Sequence, residues 1–549
     1  MQIRFSNHME RLFLFLLFFS IFPAFAQPKD GIVSNLIGTN ENSLQNIGRR
    51  YHKTAVLETN TNTGIERDLT CFYETVGLMG SGDYAPFWHT SNHQGLPSVN
   101  NNNGYIHSGA LGSLLLPIGL GVDYGLEIGL GANLEKNWFV HQLYVNLNYK
   151  WLGLEVGMKE RWNDKNYVLS SGALTWSGNS KPIPEIRAGI PHYTRLPFMG
   201  RWLSIKGHIG YGRLIDDKWR MEHHEGSYMD QILFHSKSVF LKVGDEERFP
   251  LQAAIGLELN NMFGGTFHKG TVVRKIPSDL GAYWKALFPF HHIEEQGDED
   301  GDNVGSWHLN VNYTWNNWRW VAYYEHFFED HSSMLGVEYK YNTKGEKDFI
   351  YFGLRRNWFD GLWGLEMNTL DNIRGLHSIV LEFMNTRGQC GPICHSAAFN
   401  ADGMYVIEEV DGRDEMYNHN QYSSYSFWGY AIGNPVLISP VYNNNGSARF
   451  RSNRVRMFHL GVDGGITKKI DYRFLTTTTQ HWGCYGAPLK EVERVTSVML
   501  ECLYRLGGAY DWKFSLSGAM DFDSGSGGSY LLGNNKGVML TISKSWKVL

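Results

Sequence analysis

The chain has little of what would staple it, anchor it by a helix or charge it strongly. Five cysteines in 549 residues, Cys71, Cys390, Cys394, Cys484 and Cys502, are too few and too scattered for a disulfide-built scaffold. Cys390 and Cys394 suit either a small disulfide loop or two plain thiols, and no second pair completes a zinc half-site. A net charge of −5 leaves no basic surplus for nucleic acid. Beyond Gln27 no run of about 18 uncharged apolar residues offers a membrane-spanning helix. The nearest approach, Leu111 to Leu134, is broken by Pro117, Asp123, Glu127 and repeated glycines. Amphipathic helical periodicity of ordinary length is missing. No HExxH, Gly-x-Ser-x-Gly or P-loop occurs, so the sequence points to no enzyme, cofactor or metal. A hydrolase built from dispersed Ser, His and Asp would leave no such local motif.

What is present begins with an export signal. Arg4 and Arg11 precede an apolar run from Leu12 to Phe22, followed by Pro23-Ala24-Phe25-Ala26-Gln27, a small-x-small cleavage pattern. Residues 1–26 therefore read as a signal peptide. Residues 27–70, polar and aperiodic, read as a flexible periplasmic leader.

From residue 71 to 549 the pattern has period two. Leu143, Val145, Leu147 and Tyr149 alternate with Gln142, Tyr144, Asn146 and Asn148. The parity then switches at Lys150-Trp151, and Leu152, Leu154, Val156 and Met158 alternate with Gly153, Glu155, Gly157 and Lys159, which predicts a hairpin. Trp307, Leu309, Val311, Tyr313 and Trp315 share one face of another strand, and Trp512, Phe514 and Leu516 of a third. With further candidates, 334–341 and 349–356 among them, about nineteen segments emerge, close to the even count a closed barrel needs. In a soluble sandwich the apolar faces look inward; in an outer-membrane barrel they look out at lipid. Aromatics near segment ends (Trp138, Trp151, Trp202, Trp315, Trp358, Trp482, Trp546), a terminal strand with Val538, Leu540, Ile542, Trp546 and Val548 on one face, and the export signal favour the second. The expectation is an all-β, transmembrane antiparallel β-barrel of about 18 strands with long loops near 265–305 and 396–453.

The loops hold the candidate recognition chemistry. Tyr417, Asn418, His419, Asn420, Gln421, Tyr422, Tyr425 and Trp428, with Tyr442 and Asn443, combine aromatic faces for sugar C–H surfaces with amides for hydroxyl groups. The same residues suit a solvated loop. Arg161, Arg187, Arg213, Arg355 and Arg356 could meet an acidic polymer in the lumen or pair with lumen carboxylates. His89 and His93 sit between Pro86 and Gly95, in a loop rather than on the helix a metal pair would need. Asp298 to Asp302 lacks the glycine placement and closing glutamate of a calcium loop. Phe87-Trp88 is expected to mark the membrane boundary, with the polar run to Gln94 folding into the mouth or lumen.

The order of several blocks carries a resemblance. They are Ala85-Pro86-Phe87-Trp88-His89, Tyr149-Lys150-Trp151-Leu152-Gly153-Leu154-Glu155, Gly178-Asn179-Ser180-Lys181-Pro182-Ile183-Pro184-Glu185-Ile186-Arg187, Trp202-Leu203-Ser204-Ile205-Lys206-Gly207-His208 and Tyr425-Ser426-Phe427-Trp428-Gly429-Tyr430. In that order the chain resembles the Wzi family of Gram-negative outer-membrane capsule-assembly proteins. The resemblance implies an 18-stranded, lectin-like barrel that attaches or organises capsular or extracellular polysaccharide at the cell surface, without a cofactor, among outer-membrane lipid and lipopolysaccharide. It implies a helical bundle only for enterobacterial members, and no periodicity here supplies one. A porin or solute channel and an outer-membrane lipid hydrolase are the alternatives. Oligomeric state leaves no mark in the sequence.

Overall fold

The computed structural model describes residues 66–548 except 198–199, 246–247, 289–300, 330–333, 335–336, 342–346, 353–358, 371–374, 389–393, 400–404, 411–414, 507–511 and 526–529. The signal segment and residues 27–65 of the expected leader lie outside the described residues. So do Arg355, Arg356, Trp358, Cys390 and Asp298 to Asp300.

Eighteen strands form one closed antiparallel sheet. In chain order they are β1 (Glu66–Ser81), β2 (Gly104–Leu115), β3 (Leu120–Ala132), β4 (Trp138–Tyr149), β5 (Leu152–Met158), β6 (Pro184–Arg195), β7 (Leu203–Arg213), β8 (Leu233–Val243) and β9 (Leu251–Phe263). They continue as β10 (Asp302–Trp315), β11 (Trp318–Phe328), β12 (Gly361–Thr369), β13 (Ser378–Asn385), β14 (Val455–Gly465), β15 (Ile470–Gly483), β16 (Pro488–Leu506), β17 (Trp512–Asp523) and β18 (Lys536–Lys547). Each pairs with its sequence neighbours, and β1 closes the ring on β18, from Thr70 against Lys547 to Ser81 against Lys536. The first strand starts at Glu66, a few residues before the boundary the sequence pattern placed at 71. Lys150-Trp151 makes the expected two-residue turn, Tyr149 opposite Leu152 and Lys150 at φ 56°.

The wall is inverted relative to a water-soluble protein. Along β4, Leu143 is 55% and Val145 46% exposed, while Gln142 and Tyr144 are buried; β18 likewise exposes Val538, Leu540 and Trp546 and buries Ser543. A face of exposed Leu, Val and Phe running round a closed sheet is the lipid-facing wall of a membrane barrel. Trp151, Trp202, Phe249, Trp315 and Trp546 stand exposed at one end of it, where an interfacial belt belongs. The connections sort by end. At that end lie 116–119, 150–151, 196–202, 244–250, 316–317, 370–377 and 466–469, and at the other the short 133–137 and 484–487, the medium 524–535 and the longer 82–103, 159–183, 214–232, 264–301, 329–360 and 386–454. In such barrels the short turns face the periplasm and the long loops the outside.

The sequence pattern misplaced one wall strand. The expected segments 334–341 and 349–356 fall on a separate two-stranded hairpin, Val337–Tyr341 with Lys347–Phe352, and β12 takes their place in the wall. β12 hid because Leu362, on its inward face, is as apolar as Trp363 and Leu365 on the outward one. Val380, Met384, Val455 and Met457 on β13 and β14 also point inward and are buried. They pack against the long loops, which turn back into the mouth and form a plug.

Lipid-face polarity is directly testable. Replacing Val145 by Lys should destabilise the barrel by about 2–4 kcal/mol if the site lies near the bilayer midplane. Reversible unfolding in phospholipid vesicles measures this, and the inward Asn146→Lys should show no comparable lipid-depth penalty.

Candidate functional site

The plug consists mainly of residues 82–103, 159–183 and 415–454. Buried Phe87, Trp88, Leu169, Leu174, Ile432, Leu437 and Phe450 share one core with inward wall residues such as Phe327 and Met457. Phe87 and Trp88, on a one-turn helix α1 (Phe87–Thr90), are inside this core and not at the membrane boundary. The Phe87 N–H donates to Asp521 and His89 meets Ser517, so α1 fixes the plug to β17. The polar run after it does enter the mouth: the Gln94 N–H donates to Gly178 O at 2.7 Å and Asn92 to Ser171 O at 3.0 Å.

Wall carboxylates hold the remaining segments by their backbones. Glu325 accepts from Leu174 N at 2.8 Å, Glu382 from Ser171 N at 2.8 Å, and Asp523 from the N–H groups of Leu532 and Gly533. Irregular chain cannot satisfy its own N–H groups, and a charged acceptor makes the stronger bond. Acidic lumen residues here serve to dock loops.

One such row has the order of a hydrolytic triad. Ser306 Oγ lies 2.9 Å from His308 Nε2, and His308 Nδ1 lies 3.1 Å from Glu325. Yet Ser306 Oγ is also 2.6 Å from Thr175 Oγ1 and wholly covered by the plug, and Glu325 is engaged by Lys165 and Leu174. The row clasps residues 165–175 to the wall, and the hydroxyl faces protein where an ester would have to sit.

The sequence-predicted sugar set is brought together, but mostly as plug core. Tyr417, Tyr422 and Tyr425 are fully buried, and their hydroxyls donate to Leu174 O, Gly264 O and Thr175 O. The buried Tyr442 hydroxyl bonds Thr90, Asn418 pairs with Phe450 through both amide atoms, and Asn443 binds Ser447 O and Arg449 O. Gln421 is buried, and His419 Nδ1 accepts from the Gln421 and Tyr422 N–H groups. Asn420 alone of the set is exposed. Side chains that solvate a loop in sequence instead lock it, because most of their polar atoms find a partner within the plug or on the loops around it.

Trp428 is the aromatic member nearest a cationic surface. Its ring lies 4.5 Å from Lys136 Nζ and 4.9 Å from Lys181 Nζ, cation–π contacts between three separate loops. Lys136 is exposed and Lys181 partly so. Burial, opposed by Glu135 and reinforced by Lys136, brings the Lys181 ammonium down to about 8. Beneath, Arg220 of helix α2 (Asp217–Glu222) pairs with Asp216 at 3.0 Å and donates to Tyr422 O at 3.1 Å and Ser426 O at 2.6 Å, while the Trp428 N–H donates to Asp216. Trp428 is at φ 55° and Gly429 at φ 75°, and a Cβ on Gly429 would sit 2.3 Å from Trp219. The tight turn needs glycine there, and it delivers the indole to the two lysines. Neither lysine was legible as a partner, since each comes from a different loop. Of the candidate arginines, Arg161 pairs with Glu155 and Glu185, Arg187 meets His208, and Arg213 pairs with Asp217.

A closed eighteen-stranded antiparallel sheet with an apolar outer wall and a loop-filled mouth is an outer-membrane β-barrel. No protein-family model matches the chain, and no curated protein matches it. Among solved structures it is similar to Wzi of Escherichia coli, described as a carbohydrate-binding outer-membrane β-barrel involved in group 1 capsule assembly. That likeness has 12% identity and a TM-score of 0.50, over 86% of this chain and 83% of that one. It is also similar to OccK5 of Pseudomonas aeruginosa, with 9% identity, a TM-score of 0.43 and coverage of 88% and 99%. For OprD of the same organism the values are 10%, 0.42, 88% and 96%. At these identities the likeness to Wzi shows the fold.

The Asp216–Arg220 pair should control the exposure of residues 417–430. Arg220→Met leaves Asp216 charged and buried, and should cost about 3–5 kcal/mol, the usual loss for one half of a buried pair. The readout is limited proteolysis of the folded barrel in detergent, with new cleavage in this loop and no loss of the boiled-versus-unboiled gel shift.

Proposed function

We propose that the protein attaches or organises an acidic surface polysaccharide at the cell exterior, holding it across the loop-filled mouth. The observation that carries the reading is the Trp428 indole between Lys136 and Lys181, an aromatic face and two cations at one place. Trp428 is itself only 7% exposed, so the indole sets the position of the two ammonium groups, and uronate-type carboxylates pair with those. Similarity in fold to Wzi, itself described as carbohydrate-binding, supports it. The plug supports attachment over conduction, since its segments are bonded to the wall and share the barrel's core. Lipid and lipopolysaccharide are the partners of the outer wall, in the outer membrane.

Genetic removal tests the reading. Polymer should still be made but shed into the medium; unchanged cell-bound capsule overturns it, and discrete conductance steps in planar bilayers would turn it towards a porin. In purified form, binding of polygalacturonate as an acidic probe should weaken above pH 8. Lys181, with its ammonium brought down to about 8, carries its charge below that pH and loses it above, so attraction present at pH 7 is mostly gone by pH 9. The expected drop is up to about fivefold, roughly 1 kcal/mol. Lys181→Met should bind more weakly at pH 7 and flatten this profile, and Trp428→Ala should weaken binding at both pH values.

A further inference from the structure

The wall alternation breaks once on β4, and chemistry collects at the break. Trp138 and Val140 face outward, but the outward series resumes at Leu143. The β3–β4 register shifts between Glu127 and Ile128, leaving His141 as the extra residue of a β-bulge. His141 and Gln142 both turn inward and are buried. Bulges of this kind re-aim a side chain and recur beside functional sites.

The imidazole meets two carboxylates. His141 Nε2 lies 2.9 Å from Glu160 Oε1, and one donor atom each from Glu127, His141 and Glu160 lie within 4.8 Å of one another. Glu160 is 3% exposed, yet its Oε2 receives no hydrogen bond. Its neighbours give it no cation: Lys159 pairs with Glu155 at 3.3 Å, and Arg161 with Glu155 and Glu185 at 2.6 and 3.0 Å. A second ring of contacts fixes the donors. Gln142 donates to Glu127 Oε2 at 2.9 Å and accepts from the Glu160 N–H at 2.9 Å, while His107 bridges Glu127 and Glu74. A buried carboxylate oxygen that receives no hydrogen bond, as Glu160 Oε2 does, is costly unless a cation meets it.

We propose that Glu127, His141 and Glu160 bind a divalent transition-metal ion of the zinc type, with Gln142 and His107 orienting Glu127. One imidazole among carboxylates suits zinc or cobalt better than calcium, which takes six to eight oxygens. Outer contacts that hold ligating groups are a regular part of such sites. The ion takes the place of the His141–Glu160 hydrogen bond and gives Glu160 Oε2 a charged neighbour. It ties β3 and β4 to the chain leaving β5, where plug residues 159–183 begin, and so clamps the plug to the wall. This site is independent of Trp428 and of the polysaccharide reading.

The experiment uses the full-length barrel refolded in detergent, stripped with chelator, loaded with Co(II) and desalted. The expected result is one cobalt per chain with visible d–d absorption, displaced by Zn(II), and a melting temperature raised by the metal. His141→Ala and Glu160→Gln should each hold under a tenth of that cobalt while keeping the boiled-versus-unboiled gel shift. Gln142→Ala should bind about 10- to 100-fold more weakly, the usual loss for an outer contact. Wild-type protein that retains no cobalt overturns the proposal. So does equal retention by folded His141→Ala and Glu160→Gln, which would place the metal elsewhere, for instance in the acidic run from Asp298 to Asp302.

Discussion

Hydrocarbon offers no hydrogen bonds, and the pairing of β1 with β18 answers that constraint. Once the sheet closes, every wall strand has a neighbour on both sides, and no edge is left to lipid. Closure also turns the pleat into a partition. Odd and even residues of one strand then face different solvents, so Leu143 can be exposed while Gln142 beside it is buried. Polar residues point inward as a consequence, and the structure must find partners for them.

The long loops supply those partners. In a wide water-filled barrel, inward carboxylates would be hydrated; here Glu325, Glu382, Asp521 and Asp523 accept plug N–H groups instead. The exchange works both ways, because irregular loop backbone cannot be buried without acceptors. Where the plug presents apolar side chains, the wall answers with Leu362, Val380 and Met384 on its inner face. Plug and wall are one core divided between two parts of the chain.

This division explains what the sequence made legible. Alternation reports a residue's side of the wall, so β4, β5, β10 and β18 were readable, as was the turn at Lys150-Trp151. β12 was not, because an inward Leu362 against the plug looks the same as an outward Leu365 against lipid. The partners of Tyr417, Tyr425 and Trp428 were not readable either, since Leu174, Thr175, Lys136 and Lys181 come from other loops and no period links them. Phe87 and Trp88 misled for a related reason: an aromatic pair next to a strand end fits an interfacial belt and a plug core equally well, and only the path of the loop decides.

The bulge at His141 was hidden as well. The structure shows its trace in Trp138, Val140 and Leu143, an outward series that changes parity within one strand, and the apolar Phe139 between them hides it in the sequence. Nor can spacing give Glu160, which reaches His141 only because β5 ends at Met158 and the chain turns inward. Two residues directed inward in succession take a place that one would fill in a regular ladder, and the ladder loses a pairing there. Nothing in the lipid-facing wall gains from that loss. The gain lies on the inner side, where His141 and Gln142 both reach Glu160, one by its ring and the other by its amide oxygen.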